Sequence, residues 1–225
     1  MVWADDTIPV AVLDTAPAVT QQHLAAPANT PSPAPKRAEF GSERVSEPAR
    51  HTANWVVDSG DNLSMPFMII DKAQARVLMF DASGRLTGAA SALLGMAVGD
   101  DSVPGIGERS LSSILPEERT TPAGRFVASL GRNLAGREIL WIDYGAAISL
   151  HRVAVGNAKE RRLERLASPH LDDKRISYGC VNVPVASFEN VVMPAFSGTD
   201  GVVYTLPETR PNQSVFNAYY ESGPE

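Results

Sequence analysis

The sequence predicts a mainly β domain with a few short helices, and three observations point there. Short apolar runs recur along the chain, among them "FMIID", "ARVLMFD", "EILWIDY" and "AAISLH", and their residues suit a pleated, half-buried surface. Clusters of Asp, Ser and Gly separate these runs and supply turn chemistry. Only two stretches change to a helical period, whereas a doubly wound α/β sheet would need long helices alternating with the strands.

Taken in order, residues 1–53 read as a Pro/Ala-rich linker, disordered or extended. The first 50 residues hold seven prolines and ten alanines, a density that blocks helix continuation and removes ladder donors. "MVWADD" places Val2 and Ala4 in the small-x-small arrangement that precedes signal-peptidase cleavage, either as a processed end or by coincidence. Order is expected from Asn54, giving a domain over 54–210. "FMIIDKAQARVLMFD" reads as a hairpin, and "LTGAASALLG" as a third strand ending at Gly95. The loop "GDDSVPGIGERS" contains Gly105-x-Gly107 but lacks the strand-loop-helix setting of a phosphate cradle. Residues 137–153 hold two more strands, the second delivering His151 at its end. In "GNAKERRLERLAS" (156–168) Asn157 and Glu160 form a capping-box pattern, and Leu163, Leu166 and Ala167 share a face. A second helix is expected over 183–196 with Pro184 in its first turn. "DGVVYTLPE" (200–208) reads as a closing strand, and 211–225 as a polar, mobile tail.

Composition narrows the function classes. The chain has 225 residues and a net charge of −6, so no overall positive field draws nucleic acid. No apolar run is long enough to span a membrane. One cysteine rules out an intramolecular disulfide and a thiolate-built zinc site, and the four histidines are scattered without HExxH spacing. No metal and no cofactor is expected.

That cysteine, Cys180, sits in "RISYGCVNVP". A lone thiol fits a small buried hydrophobe as readily as a nucleophile. The nucleophile reading needs a base and a turn that exposes sulfur and backbone N–H groups together. Gly179 supplies the turn. Two histidines compete as base: His170, in a loop ten residues upstream, and His151, on a rigid strand end that favours it.

The order of the motifs adds a resemblance. From "IDKAQARVLMF" through "TTPAGRF" and "ISLH" to "ISYGCVNV", residues 61–206 resemble the L,D-transpeptidase catalytic domain of the YkuD or ErfK type. Thr121, Pro122, Gly124 and Phe126 match its TPxGxF element, His151 its strand-end histidine, and Ser177, Gly179, Cys180 and Asn182 its S/T-H-G-C-x-R/N element. The resemblance implies a β-sandwich-like domain with short helices, periplasmic or associated with the cell wall, acting on peptidoglycan stem peptides and so linked to wall biogenesis and cell shape. It implies Cys180 as nucleophile, His151 as base, N–H groups around Gly179 and Cys180 as oxyanion donors, and Tyr178, Ser177, Asn182 and Arg152 around the substrate. The Arg152 carbonyl is expected to orient the imidazole. The products would be 3–3 cross-links or wall-attached proteins; an L,D-carboxypeptidase and a non-catalytic peptidoglycan-binding domain are the alternatives. Two departures stand out. Tyr178 replaces the family histidine, and the 25 residues between His151 and Ser177 exceed the usual spacing, the excess coinciding with the helix of 156–168, whose arginines are expected to face acidic stems or a solvated surface.

Overall fold

The computed structural model describes residues 34–221. The chain divides into Met1–Ala34 and Pro35–Glu225. Residues 1–33 of the expected linker therefore lie outside the described part, as do 222–225.

The second unit is mainly β with short helices. Its strands are β1 Phe67–Asp71, β2 Arg76–Phe80, β3 Leu86–Ser91, β4 Leu94–Gly95, β5 Gly124–Arg132, β6 Glu138–Asp143, β7 Ile148–Arg152, β8 Arg175–Ser177, β9 Val181–Val183 and β10 Gly201–Thr205. Eight of them form one sheet in the order β3-β2-β1-β10-β5-β6-β7-β9, and β4 pairs with β8. β5 is the joint of this sheet. Its first half, Gly124–Ala128, pairs with β10, and its second half, Ser129–Arg132, pairs with β6. The two wings curl toward each other, and a bridge between Leu93 and Asn182 nearly closes the sheet. The strand expected to close the domain, β10, instead lies at the centre, parallel to β1 and antiparallel to β5.

Alternation along the strands sorts two cores. Met68, Ile70, Val77, Met79, Leu140, Leu150, Val181 and Val203 point into the curl, where a helical run over residues 185–196 fills the space with Phe188, Val192 and Phe196. That run is α3 Val185–Ser187, a π turn Phe188–Val192 and α4 Met193–Phe196, and Pro184 sits at its N-cap. Pro194 has no N–H and its ring crowds the carbonyl four residues back; the Met193 N–H bonds Phe188 O, five back, which widens the turn.

The other core lies under α1, Glu47–Ser59. Ser46 caps this helix by accepting from the Ala49 N–H at 3.2 Å, and Gly60 ends it at φ 69°. Ala49, Ala53, Trp55 and Val56 bury against Phe67, Ile69, Phe80 and Tyr204. Order thus begins before residue 54: Ala38 is also buried, and Glu39 bridges Arg85. Small residues spaced along α1 suit close helix–sheet packing, and their alanine content masked the helix in the sequence. The tail also departs from expectation. Phe216 is 1% exposed and stacks on Trp55 with ring centroids 6.0 Å apart, so Phe216, with Val215 and Tyr219 against it, joins this core. Among the described residues no helix is long and apolar enough to cross a membrane.

The segment expected as one helix over 156–168 is a 3-10 turn, Ala158–Glu160, followed by α2, Arg162–Ala167. Arg161, at φ 49°, breaks the two. Lys174 anchors the insert: its ammonium donates to the carbonyls of Arg165 and Leu166 at the end of α2, at 3.0 and 2.7 Å, and to Ser91 Oγ at 2.9 Å.

Candidate active site

β7 turns Ile148 and Leu150 into the core, so the period of two sends Ser149 and His151 to the opposite face. β9 runs parallel to β7 with Leu150 facing Val181 and His151 facing Asn182. The residue before β9, Cys180, therefore falls beside Ser149, and Sγ lies 3.6 Å from Ser149 Oγ. Sγ also lies 3.6 Å from the Ala147 carbonyl oxygen; the His151 imidazole is near enough for thiol and ring to shift one another's proton affinity, and its Nδ1 lies 2.7 Å from the Arg152 carbonyl oxygen. A carbonyl only accepts, so Nδ1 carries a proton and the other ring nitrogen serves the sulfur. His170, the competing base, is exposed, and the structure does not bring it to Cys180.

The turn around Cys180 is held by two hydroxyls. Thr121, of the "TTPAGRF" element, accepts from the Gly95 N–H at 2.9 Å and donates to the Gly179 carbonyl at 2.8 Å. The Ser177 hydroxyl donates to the Cys180 carbonyl at 2.6 Å and accepts from the Gly179 N–H at 3.1 Å. Glycine at 179 is required twice over: φ is 127°, and a Cβ there would meet the Thr120 carbonyl oxygen and Ile148 Cδ1 at 2.6 Å each. Because Ser177 takes up the Gly179 N–H, that group is not available as an oxyanion donor. The N–H groups of Tyr178 and Cys180 find no acceptor among the described residues, and they are the donors the turn leaves open.

Electrostatics favour a charge-separated pair. Burial pushes the Cys180 thiol up, but hydrogen bonds from His151 and Ser149 outweigh it, and the net direction is down. Burial likewise disfavours a charged imidazole, yet the bonds to Cys180 and the Arg152 carbonyl outweigh it, and His151 is raised. The two shifts run in opposite directions and bring the thiol and imidazole titrations toward each other.

The other expected site residues are placed differently. Ser177 and Asn182 are 2% and 1% exposed, too buried to meet a ligand, and both brace the turn: Asn182 Nδ2 donates to the Cys180 carbonyl at 3.3 Å. The Arg152 side chain turns away from the thiol to Glu189, at 3.0 Å, and lies over the Phe188 ring, clamping the helical run to the sheet. Its carbonyl alone serves the imidazole. Tyr178 is half-buried with the Arg119 guanidinium 3.9 Å above its ring; Arg119 also donates to the Ile114 carbonyl. Arg119 lies in the loop between β4 and β5, and Gly107 of that loop lies against the β6–β7 turn, where a Cβ would come 2.5 Å from the Gly145 oxygen.

A cleft of about 420 Å³ opens on this face, with Ser149 and His151 in its floor and Trp141, Arg137 and Val185 in its walls. Trp141 lies across Gly131 and stacks on Tyr144 with centroids 4.8 Å apart. Ser149 and Arg119 were not singled out as site residues in the sequence, and Arg162, expected with Arg161 and Arg165 to face acidic stems or a solvated surface, instead turns inward to Asn182 with 12% exposure. The two-residue spacing from His151 would have found Ser149. Arg119 reaches the turn from a loop that no local pattern marks, and Arg162 reaches it from the first residue of α2.

A thiol paired with an oriented imidazole, beside two open N–H groups and a cleft, can perform nucleophilic acyl transfer. No family model and no curated protein matches the sequence. Among solved structures, the helical cell shape determining protein Pgp2 from Campylobacter jejuni is similar at 15% identity and TM-score 0.44, covering 65% of this chain and 49% of that one. An Enterococcus faecium L,D-transpeptidase is similar at 15% identity and TM-score 0.36, covering 63% of this chain and 50% of that one. An L,D-transpeptidase from Xylanimonas cellulosilytica is similar at 16% identity and TM-score 0.35, covering 63% and 60%. The chain spans about half the length of the first two.

Proposed function

We propose that the chain is an exported, cysteine-dependent L,D-transpeptidase acting on peptidoglycan stem peptides. The observation that carries this reading is the His151–Cys180 pair, with Nδ1 of the imidazole fixed by the Arg152 carbonyl. The ordered motifs around it supply the substrate class. The Cys180 thiolate attacks the carbonyl that follows the L-centre of a donor tetrapeptide, and the oxyanion is received by the Tyr178 and Cys180 N–H groups. His151, holding the thiol proton, gives it to the nitrogen of the departing D-alanine, leaving a thioester on Sγ. An amine of an acceptor stem then attacks the thioester, His151 takes its proton, and the thiolate is released. The result is a 3–3 cross-link, or a protein joined to the wall when the acceptor or donor is protein-borne. Tyr178 shapes the site through its ring, which the Arg119 guanidinium holds in place.

Incubation with a disaccharide tetrapeptide followed by mass spectrometry tests this reading. A dimer lacking one terminal alanine is expected. A tripeptide alone would replace transfer by L,D-carboxypeptidase action, and no product would overturn acyl chemistry altogether.

A further inference from the structure

The inserted segment between β7 and β8 reaches the site through one side chain. Arg162 Nη1 donates to Asn182 Oδ1 at 2.8 Å, and Asn182 Nδ2 donates to the Cys180 carbonyl. Asn182 stands directly across from His151 in the parallel register. The Arg162 side chain is 12% exposed, so its charge is poorly screened. The insert is not free to drift, because Leu166 packs with Leu93 and Val153 and Lys174 holds the end of α2.

We propose that Arg162 is a positioning residue for the Cys180–His151 pair, bracing the nucleophile turn through Asn182 and bringing a largely buried guanidinium from the insert to the residue that faces His151. This role rests on the acyl-transfer reading of the same pair. Two functions meet in one guanidinium. The bond to Asn182 fixes the amide so that its Nδ2 faces the Cys180 carbonyl. The fixed positive charge disfavours a second one on the imidazole, which makes the imidazolium a better acid toward a leaving amine. Other charges stand near His151 as well. On β7, Arg152 pairs with Glu138 of β6 and Glu189 of the helical run, and Arg137 stands at the cleft rim. Glu160 offsets part of the Arg162 charge at 2.5 Å.

Three variants of the full chain separate this role from a merely structural one, read by the His151 imidazole resonance against pH and by Cys180 alkylation with iodoacetamide, neither of which needs substrate. Arg162→Gln is expected to move the His151 midpoint up by about half a pH unit or more, roughly a threefold gain in proton affinity. Arg162→Lys keeps the charge and is expected to hold the midpoint near wild type. Glu160→Gln unmasks the guanidinium and is expected to move the midpoint down. A folded Arg162→Gln protein with an unchanged midpoint overturns the proposal; if that variant does not fold, an unchanged or raised midpoint in Glu160→Gln overturns it. Midpoint shifts as expected in a protein that makes no peptidoglycan product would instead count against the acyl-transfer reading and leave the electrostatic coupling standing.

Discussion

Gly179→Ala is the substitution the geometry makes most costly at the site. The added Cβ would sit 2.6 Å from a backbone oxygen, Thr120 O, and 2.6 Å from Ile148 Cδ1. Ile148 is core-facing and 4% exposed, so neither neighbour can swing into solvent. Backbone strain at φ 127° costs about 1–3 kcal/mol, and forcing a methyl into a packed site costs about 1–3 kcal/mol more. The total is about 2–6 kcal/mol, and at about 2–4 °C per kcal/mol for a chain of this size the melting temperature should fall by at least about 4 °C. The turn also carries Cys180, so relief of the clash moves the sulfur relative to His151. Calorimetry together with the alkylation rate near neutral pH measures both effects. Gly136→Ala is the control: its φ is 75°, but an added Cβ meets nothing within 4 Å, so only about 1–2 kcal/mol of left-handed strain applies. Equal melting shifts in the two variants, or an unchanged alkylation rate in Gly179→Ala, would refute the account of the turn.

Four other substitutions have defined outcomes. Lys72 is buried, with Asp100 at 2.8 Å and the Thr121 carbonyl at 3.0 Å; Lys72→Ala leaves a buried carboxylate and should cost about 3–5 kcal/mol in chemical denaturation. Although burial opposes it, bonds from Lys72 and Thr209 hold Asp100 well below the usual carboxylate range; its contribution is therefore present above the unfolded pKa of about 4 and lost as pH falls through the lower folded value, so Asp100→Asn should flatten the acid limb of stability against pH. Phe216→Ala should destabilise by about 3–5 kcal/mol, and a loss under about 0.5 kcal/mol would return residues 211–219 to the status of a loose tail. Ser149→Ala removes a donor to the thiolate, at 3.6 Å, and should move the Cys180 pKa up, read as an upward shift in the acid limb of alkylation.

Local pattern carried the strands well. β1, β2, β6 and β7 stand where apolar runs and turn residues marked them; β1 and β2 are buried on both faces and so read as continuous apolar runs. Partners are not written locally: nothing in "DGVVYTLPE" says that β10 lies between β1 and β5. Helix α1 hid behind proline and alanine, although Ser46 and Gly60 cap it, and Phe216 reads as one aromatic in a polar tail until Trp55 is beside it. At the site, His151 and Cys180 were visible as ordered motifs, and the register of β7 and β9 explains their meeting. The braces were not. Ser177 and Asn182 looked like ligand contacts because polar residues near a nucleophile suggest substrate, yet they are buried and satisfy the turn. The Arg119 cation over Tyr178 comes from 59 positions earlier in the chain, beyond any periodicity.

The central claim is that Cys180 reacts as a thiolate because His151 holds its proton. The rate of Cys180 alkylation against pH, in the wild type and in His151→Ala, measures this most directly. The account predicts a wild-type acid limb well below the ordinary thiol value of about 8.5, moved upward in His151→Ala with a large loss of rate near neutral pH. A wild-type limb at the ordinary thiol value, unchanged by the substitution, would contradict it.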